Sequence, residues 1–175
     1  YKRQVHYASA GTGSPHHLAT ELLRERTGLT LTHVPYKGAA PALQDILGGN
    51  VAFMLVDTAS GNPFVKSGKL HALGVASAQR VPSLPDVPTL IEQGVTGYEA
   101  YAWQGLAVPA ATPPQTLARL SQGLTEALQS DAVKARFEAL GVDGLSGTPD
   151  DMARYVKAER ERWGKLIRDN NIRID

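Results

Sequence analysis

The sequence predicts an α/β fold with a parallel-rich sheet, and three observations carry that prediction. Short apolar, β-branched runs alternate with helical patterns through Val5 to Ala76, several of these runs end in small or polar turns that open a helix, and the last third is helical with legible caps. Ligands of open α/β sheets gather at the carboxyl ends of strands, so the polar turns are expected to share one edge.

The first strand is read at Val5-His6-Tyr7, running into Ala8-Ser9-Ala10-Gly11-Thr12-Gly13-Ser14-Pro15. Ser14 is a good N-cap and Pro15 suits the first helical position, so a helix is expected from Pro15 to Thr27 with Gly28 as its stop. Leu29 to Val34 reads as the next strand, broken at Pro35 into Tyr36-Lys37-Gly38, and a helix carries Ala42, Leu43, Ile46 and Leu47 to Gly48-Gly49. Val51 to Val56 is a near-continuous apolar run, as in a parallel strand covered on both faces, and it ends at Asp57-Thr58-Ala59-Ser60-Gly61. A short segment around Phe64-Val65 follows, then a fourth strand at Leu70 to Ala76. Proline spacing from Arg80 to Pro88 favours a loop, with a short helix at Thr89 to Gln93, and Tyr98 to Val108 reads as a long strand linking two lobes. Beyond Pro109, Thr112-Pro113-Pro114-Gln115 reads as a capping box before Leu117, Leu120, Leu124 and Leu128; Ser130 caps a second helix, and Thr148 a third with Met152, Tyr155, Val156, Trp163 and Leu166 on one stripe.

Composition narrows the function. With 18 Lys and Arg against 17 Asp and Glu in 175 residues, no global field points to nucleic acid or an anionic membrane, so any anion site is local. The basic pair Lys2-Arg3 is not followed by a signal-peptide core, and no apolar run is long enough to span a bilayer. Zero cysteines exclude disulfide and thiol chemistry. His6, His16, His17, His33 and His71 show no H-x-x-x-H or H-E-x-x-H spacing, so no metal is expected, and no cofactor either.

The candidate site is the stretch from Ser9 to His17. First-turn N–H groups lack intrahelical partners and sit at the positive end of the helix dipole, so a carboxylate or phosphate near Ala10, Gly11, Thr12 and Gly13 is favoured, with hydroxyls of Ser9, Thr12 and Ser14 as further donors. The stretch fails both G-x-G-x-x-G and the P-loop pattern, and Ser14 lacks the G-x-S-x-G setting of a hydrolase nucleophile. His17 sits in the first helical turn, where it can donate to a ligand, orient the turn or pack. Tyr36, Lys37 and Gly38 stand at the same predicted edge; Asp57 is read chiefly as a cap, with Thr58 and Ser60 as hydroxyl contacts.

Gly13-Ser14-x-x-His17-Leu18, His33-Val34-Pro35-Tyr36-Lys37-Gly38-x-x-Pro41-Ala42, Gly48-Gly49-x-Val51, Gly68-Lys69-Leu70, Pro85-Asp86-Val87-Pro88-Thr89 and Trp103-x-Gly105-Leu106, in that order, resemble the Bug receptors, the TctC-like solute-binding proteins of tripartite tricarboxylate transporters. The resemblance implies a type II periplasmic-binding-protein-like fold and a periplasmic receptor, not an enzyme, that closes on a small carboxylate or related organic solute and passes it to membrane permease subunits. It implies that residues 1–105 form the second α/β lobe and 106–175 the end of the interlobe strand plus helices of the first. The family's N-terminal part does not precede Tyr1, so those helices are expected to expose apolar stripes and to favour self-association. The alternative is the effector-sensing domain of a LysR-type regulator, which shares the class of bilobal fold; nothing in the chain reads as helix-turn-helix.

Overall fold

The computed structural model of the chain describes residues 4–173, so Lys2 and Arg3 lie outside the described residues. At its centre β1 (Val5–Ser9) pairs in parallel with β2 (Leu31–Pro35), in a register that sets Val5 against Leu31 and Tyr7 against His33. A third extended segment lies on the other side of β1: Ala8 N–H donates to the Phe53 carbonyl at 2.9 Å and Ala52 N–H to that of His6 at 3.2 Å. β1 is thereby hydrogen-bonded along both edges, and Tyr7, Ala8 and Ser9 are fully buried.

The crossover between β1 and β2 is α1 (Pro15–Thr27), whose ends match the expected ones. Ser14 accepts from His17 N–H as N-cap, and Gly28 takes the left-handed conformation, φ 67°, that closes the helix on the Arg24 carbonyl. After β2 comes α2 (Ala39–Leu47), with Ala42 and Leu43 buried and Ala42 packed with Ala8 and Val51. α3 (Thr58–Lys66) is a nine-residue helix where the sequence suggested a short segment. Asp57 caps the helix by accepting from Ser60 N–H at 2.9 Å, and a Cβ at Gly61 would stand 2.8 Å from Val56 Cγ1.

Three expected strands shrink. Val51 to Val56 contributes one bridge, Tyr7 with Phe53, because only the edge facing β1 finds a partner. Leu70 to Ala76 also reduces to a bridge, Val75 with Thr89, so that it pairs with the proline-rich loop instead of extending the sheet. Tyr98 to Val108 forms no ladder; it is tied by Ala100 N–H to the Ala76 carbonyl, and 101–108 are exposed. A strand is a pairing state, so apolar content without an adjacent edge leaves extended coil.

The remaining helices are α4 (Pro114–Gln129), α5 (Asp131–Leu140) and α6 (Pro149–Asp169). Ser130 caps α5 and a capping box between Thr148 and Asp151 caps α6, whereas α4 begins after Pro113 without a side-chain cap, so Thr112 and Gln115 form no box. α6 docks on α1: Leu166 packs with Leu22 and Tyr98, and Arg24 donates to Asn170 at 2.8 Å. α4 and α5 bury no residue, and Leu120 is 51% exposed. No described helix is long and apolar enough to cross a membrane.

Candidate anion-binding site

The carboxyl ends of β1 and β2 stop at adjacent turns. Gly38 N–H donates to the Ala10 carbonyl at 3.2 Å and Tyr36 N–H to that of Ser9 at 3.0 Å, which holds Tyr36-Lys37-Gly38 against the Ser9–Ser14 turn. Gly11 is required at this junction: its φ is 132°, and a Cβ would meet the Tyr36 carbonyl oxygen at 3.4 Å. The Asp57 turn joins through His16, whose Nε2 lies 3.6 Å from Asp57 Oδ2. That neighbouring ring, with Ser60 N–H, holds the Asp57 carboxyl down to about 2 against the opposing effect of burial.

Within the first turn, several groups are committed inward. Ser9 Oγ accepts from Gly11 N–H at 3.1 Å and lies 2.6 Å from His33 Nε2, Gly13 N–H donates to His17 Nδ1 at 3.0 Å, and Ser14 Oγ accepts from His17 N–H at 3.4 Å. The backbone N–H groups of Ala10, Thr12 and His16 have no protein acceptor among the described residues, nor do those of Lys37, Thr58 and Ala59 on the neighbouring turns. Thr12 and Lys37 are exposed, and Lys37 has no carboxylate partner among the described residues. Unpaired amides at a helix N-terminus favour an anion, and Lys37 adds a positive charge on the adjoining turn.

Other candidates are spoken for. The Tyr36 hydroxyl donates to Asp45 Oδ2 at 2.6 Å, and the Thr58 hydroxyl to the Gly141 carbonyl at 2.7 Å, tying α3 to the end of α5. Ser9 and His33 are within nucleophile–base reach, but Ser9 is fully buried, and burial together with the stacked His17 depresses the His33 ring to about 4, which makes it a weak base. Among the described residues no group of acidic and histidine side chains could hold a metal. An open groove of about 670 Å³ lies elsewhere, between α4 and Ser146–Asp151, and Asp151, its acidic member, is committed to the Thr148 cap.

Beneath the turn lies a polar cluster that sequence reasoning missed. Tyr7 Oη donates to Glu21 Oε1 at 2.6 Å, Arg24 bonds Glu21 Oε2 at 2.6 Å, and His17 stacks on His33 with ring centroids 3.8 Å apart. His33 in turn stacks on Tyr7 at 5.0 Å. Burial, and secondarily the Glu21 bond, push the Tyr7 hydroxyl far above its ordinary value, so it remains a donor. The available signal was the i, i+4 spacing of His17 and Glu21 on α1.

Comparison with known proteins places this geometry. Residues 2–172 match the family described as the tripartite tricarboxylate transporter family receptor, TctC. Protein BugT of Bordetella pertussis is 35% identical over 171 residues, which cover 98% of this chain and 52% of BugT. The structure of R. palustris Rpa4515 with adipate is similar at TM-score 0.89 and 35% identity, covering 97% of this chain and 57% of that one. MatC (Rpa3494) from Rhodopseudomonas palustris with bound malate follows at TM-score 0.80 and 33% identity, covering 93% and 56%. The chain therefore spans about half the length of BugT and rather more of the two solved relatives, and it belongs to the TctC family of tripartite tricarboxylate transporter receptors.

Proposed function

We propose that this chain is the part of a periplasmic solute receptor that grips one carboxylate of a small organic acid and serves the permease subunits of a tripartite transporter. The observation that carries the reading is the convergence of the unpaired Ala10, Thr12 and His16 amides with Lys37 at one sheet edge. Ser9, Gly11, Gly13, Ser14, Tyr36 and Gly38 shape that edge, Asp57 caps the adjoining helix, and Thr58 and Ser60 border it. The family match and the adipate and malate carried by the relatives' structures support a carboxylate over the regulator alternative.

Residues 1–105 act as one lobe, and 106–175 as the returning strand end and helices of the other. The exposed α4 and α5 faces support this division, since helices that bury nothing lack a covering partner. A thermal-shift panel of mono-, di- and tricarboxylates, run on this chain and on the same residues within a receptor of the relatives' length, tests the reading. Stabilisation of the longer protein by at least one dicarboxylate is expected. No response from either protein would refute it.

A further inference from the structure

His17 is 5% exposed, with its ring stacked on His33 and Tyr7. Its Nδ1 accepts from Gly13 N–H at 3.0 Å, and a backbone amide can only donate, so this nitrogen carries no proton. The ring proton then sits on Nε2, 3.9 Å from Glu21 Oε1. The bond holds Gly13, at φ 76°, in place between Gly11 and the Ser14 cap.

We propose that His17 is a positioning residue of the anion site that works only while neutral: proton uptake at Nδ1 ejects the Gly13 N–H, reshapes the Gly11–Ser14 turn and weakens anion capture. The proposal rests on the receptor reading for the last step and on the Gly13–His17 bond for the others. Once Nδ1 bears a proton, two donors face each other, and Gly13 N–H must find another acceptor or rotate out.

The surroundings set where this happens. Tyr7 faces the cluster from β1, His33 from β2, and Glu21 and Arg24 from α1 itself; Phe53, from the segment beyond β1, contributes only an apolar edge to Tyr7. His16 is turned to Asp57 on the other side of the turn. Arg24 and Tyr7 both engage the Glu21 carboxylate, which leaves less of its charge to stabilise an imidazolium. Burial, aided by Arg24, lowers the His17 value despite Glu21. The ring is therefore neutral at neutral pH and charges in acid.

The test is an NMR titration of the ligand-free protein from about pH 8 to about pH 4.5, following the imidazole nitrogens and the Gly11, Gly13 and Ser14 amides. The expected result is an Nε2–H tautomer for His17 at the alkaline end, with the Gly13 amide moving along the His17 titration below the ordinary histidine value. In His17→Gln, whose side-chain carbonyl can accept the same N–H without titrating, that movement disappears. An Nδ1–H tautomer, or a Gly13 amide that stays still while His17 titrates, overturns the proposal on the unmodified protein alone. In a second arm, adipate binding is compared between the two sequences, each carried within a receptor of the relatives' length, and their ratio cancels the ligand's own protonation. The unmodified protein should lose roughly tenfold more affinity on acidification than His17→Gln does, and an equal loss overturns the coupling to capture. If adipate and the other carboxylates fail to bind even at neutral pH, the receptor reading and this coupling fall together, while the titration still decides whether His17 holds the turn.

Discussion

Replacing Tyr7 by Phe removes one oxygen from a fully buried ring and leaves its stacking on His33 and its contact with Phe53 in place. The loss is a 2.6 Å hydrogen bond to the Glu21 carboxylate, itself 6% exposed, which retains Arg24 at 2.6 Å and gains no new donor. A buried bond to a charged acceptor contributes about 1.5–3 kcal/mol, and truncating the donor also strands acceptor capacity, so we expect a loss near 2 kcal/mol. For a chain of this size that corresponds to a fall in Tm of roughly 4–8 °C. Urea unfolding followed by far-UV circular dichroism gives the free energy directly. A double-mutant cycle with Glu21→Gln should then return a coupling of about 1 kcal/mol or more, since the two groups touch. A Tyr7→Phe protein within about 0.5 kcal/mol of the parent, or a coupling near zero, would refute the claim that this cluster supports the turn.

Other consequences follow from the same geometry. Asp57→Asn keeps a capping oxygen but removes the charge facing His16, so stability above about pH 4 should fall by about 1 kcal/mol, as read by thermal melts. Because the Asp57 value is depressed when folded, its contribution is full above the ordinary carboxylate range and fades as pH falls toward about 2; the variant's melts should lack that component. His33, depressed to about 4 by burial and by His17, adds stability that is complete above the ordinary histidine value of about 6.5 and is lost as pH falls toward its folded value. His33→Phe should flatten that part of the pH–stability curve. Gly11→Ala forces an L-residue to φ 132° against the Tyr36 carbonyl, which should cost about 1–3 kcal/mol and abolish carboxylate binding, measured by calorimetry. Sedimentation at rising concentration should show this chain self-associating through α4, where Leu120 and Leu124 are 51% and 39% exposed, and Leu120→Glu should suppress it.

What was legible in the sequence was what local chemistry determines. The bounds of α1 are written in Ser14-Pro15 and Gly28, and the cap of α6 in Thr148 and Asp151, because a cap is satisfied within a few residues of itself. The turns at Ser9–Ser14, Tyr36–Gly38 and Asp57–Ser60 were legible for the same reason, as small and polar residues after apolar runs. Pairing was not. Val51–Val56 and Leu70–Ala76 have strand composition, but whether they become strands depends on an edge supplied from far away in the chain. α3 begins earlier than the short segment read around Phe64-Val65, and Gly61 inside it answers to the crowding of Val56, a contact with no local signature. The Tyr7, Glu21 and His33 cluster escaped because the three residues meet only once α1 has crossed from β1 to β2.

On the proposed function, the unpaired amides at the ends of β1 and β2 grip a carboxylate. The most direct measurement is amide shift mapping by NMR during titration with adipate and malate, in the same residues carried within a receptor of the relatives' length. The amides of Ala10, Thr12, His16, Lys37, Thr58 and Ala59 should move together and saturate with one dissociation constant. Saturable shifts confined to the α4 groove around Leu117 and Thr148, with those six amides unmoved, would contradict it.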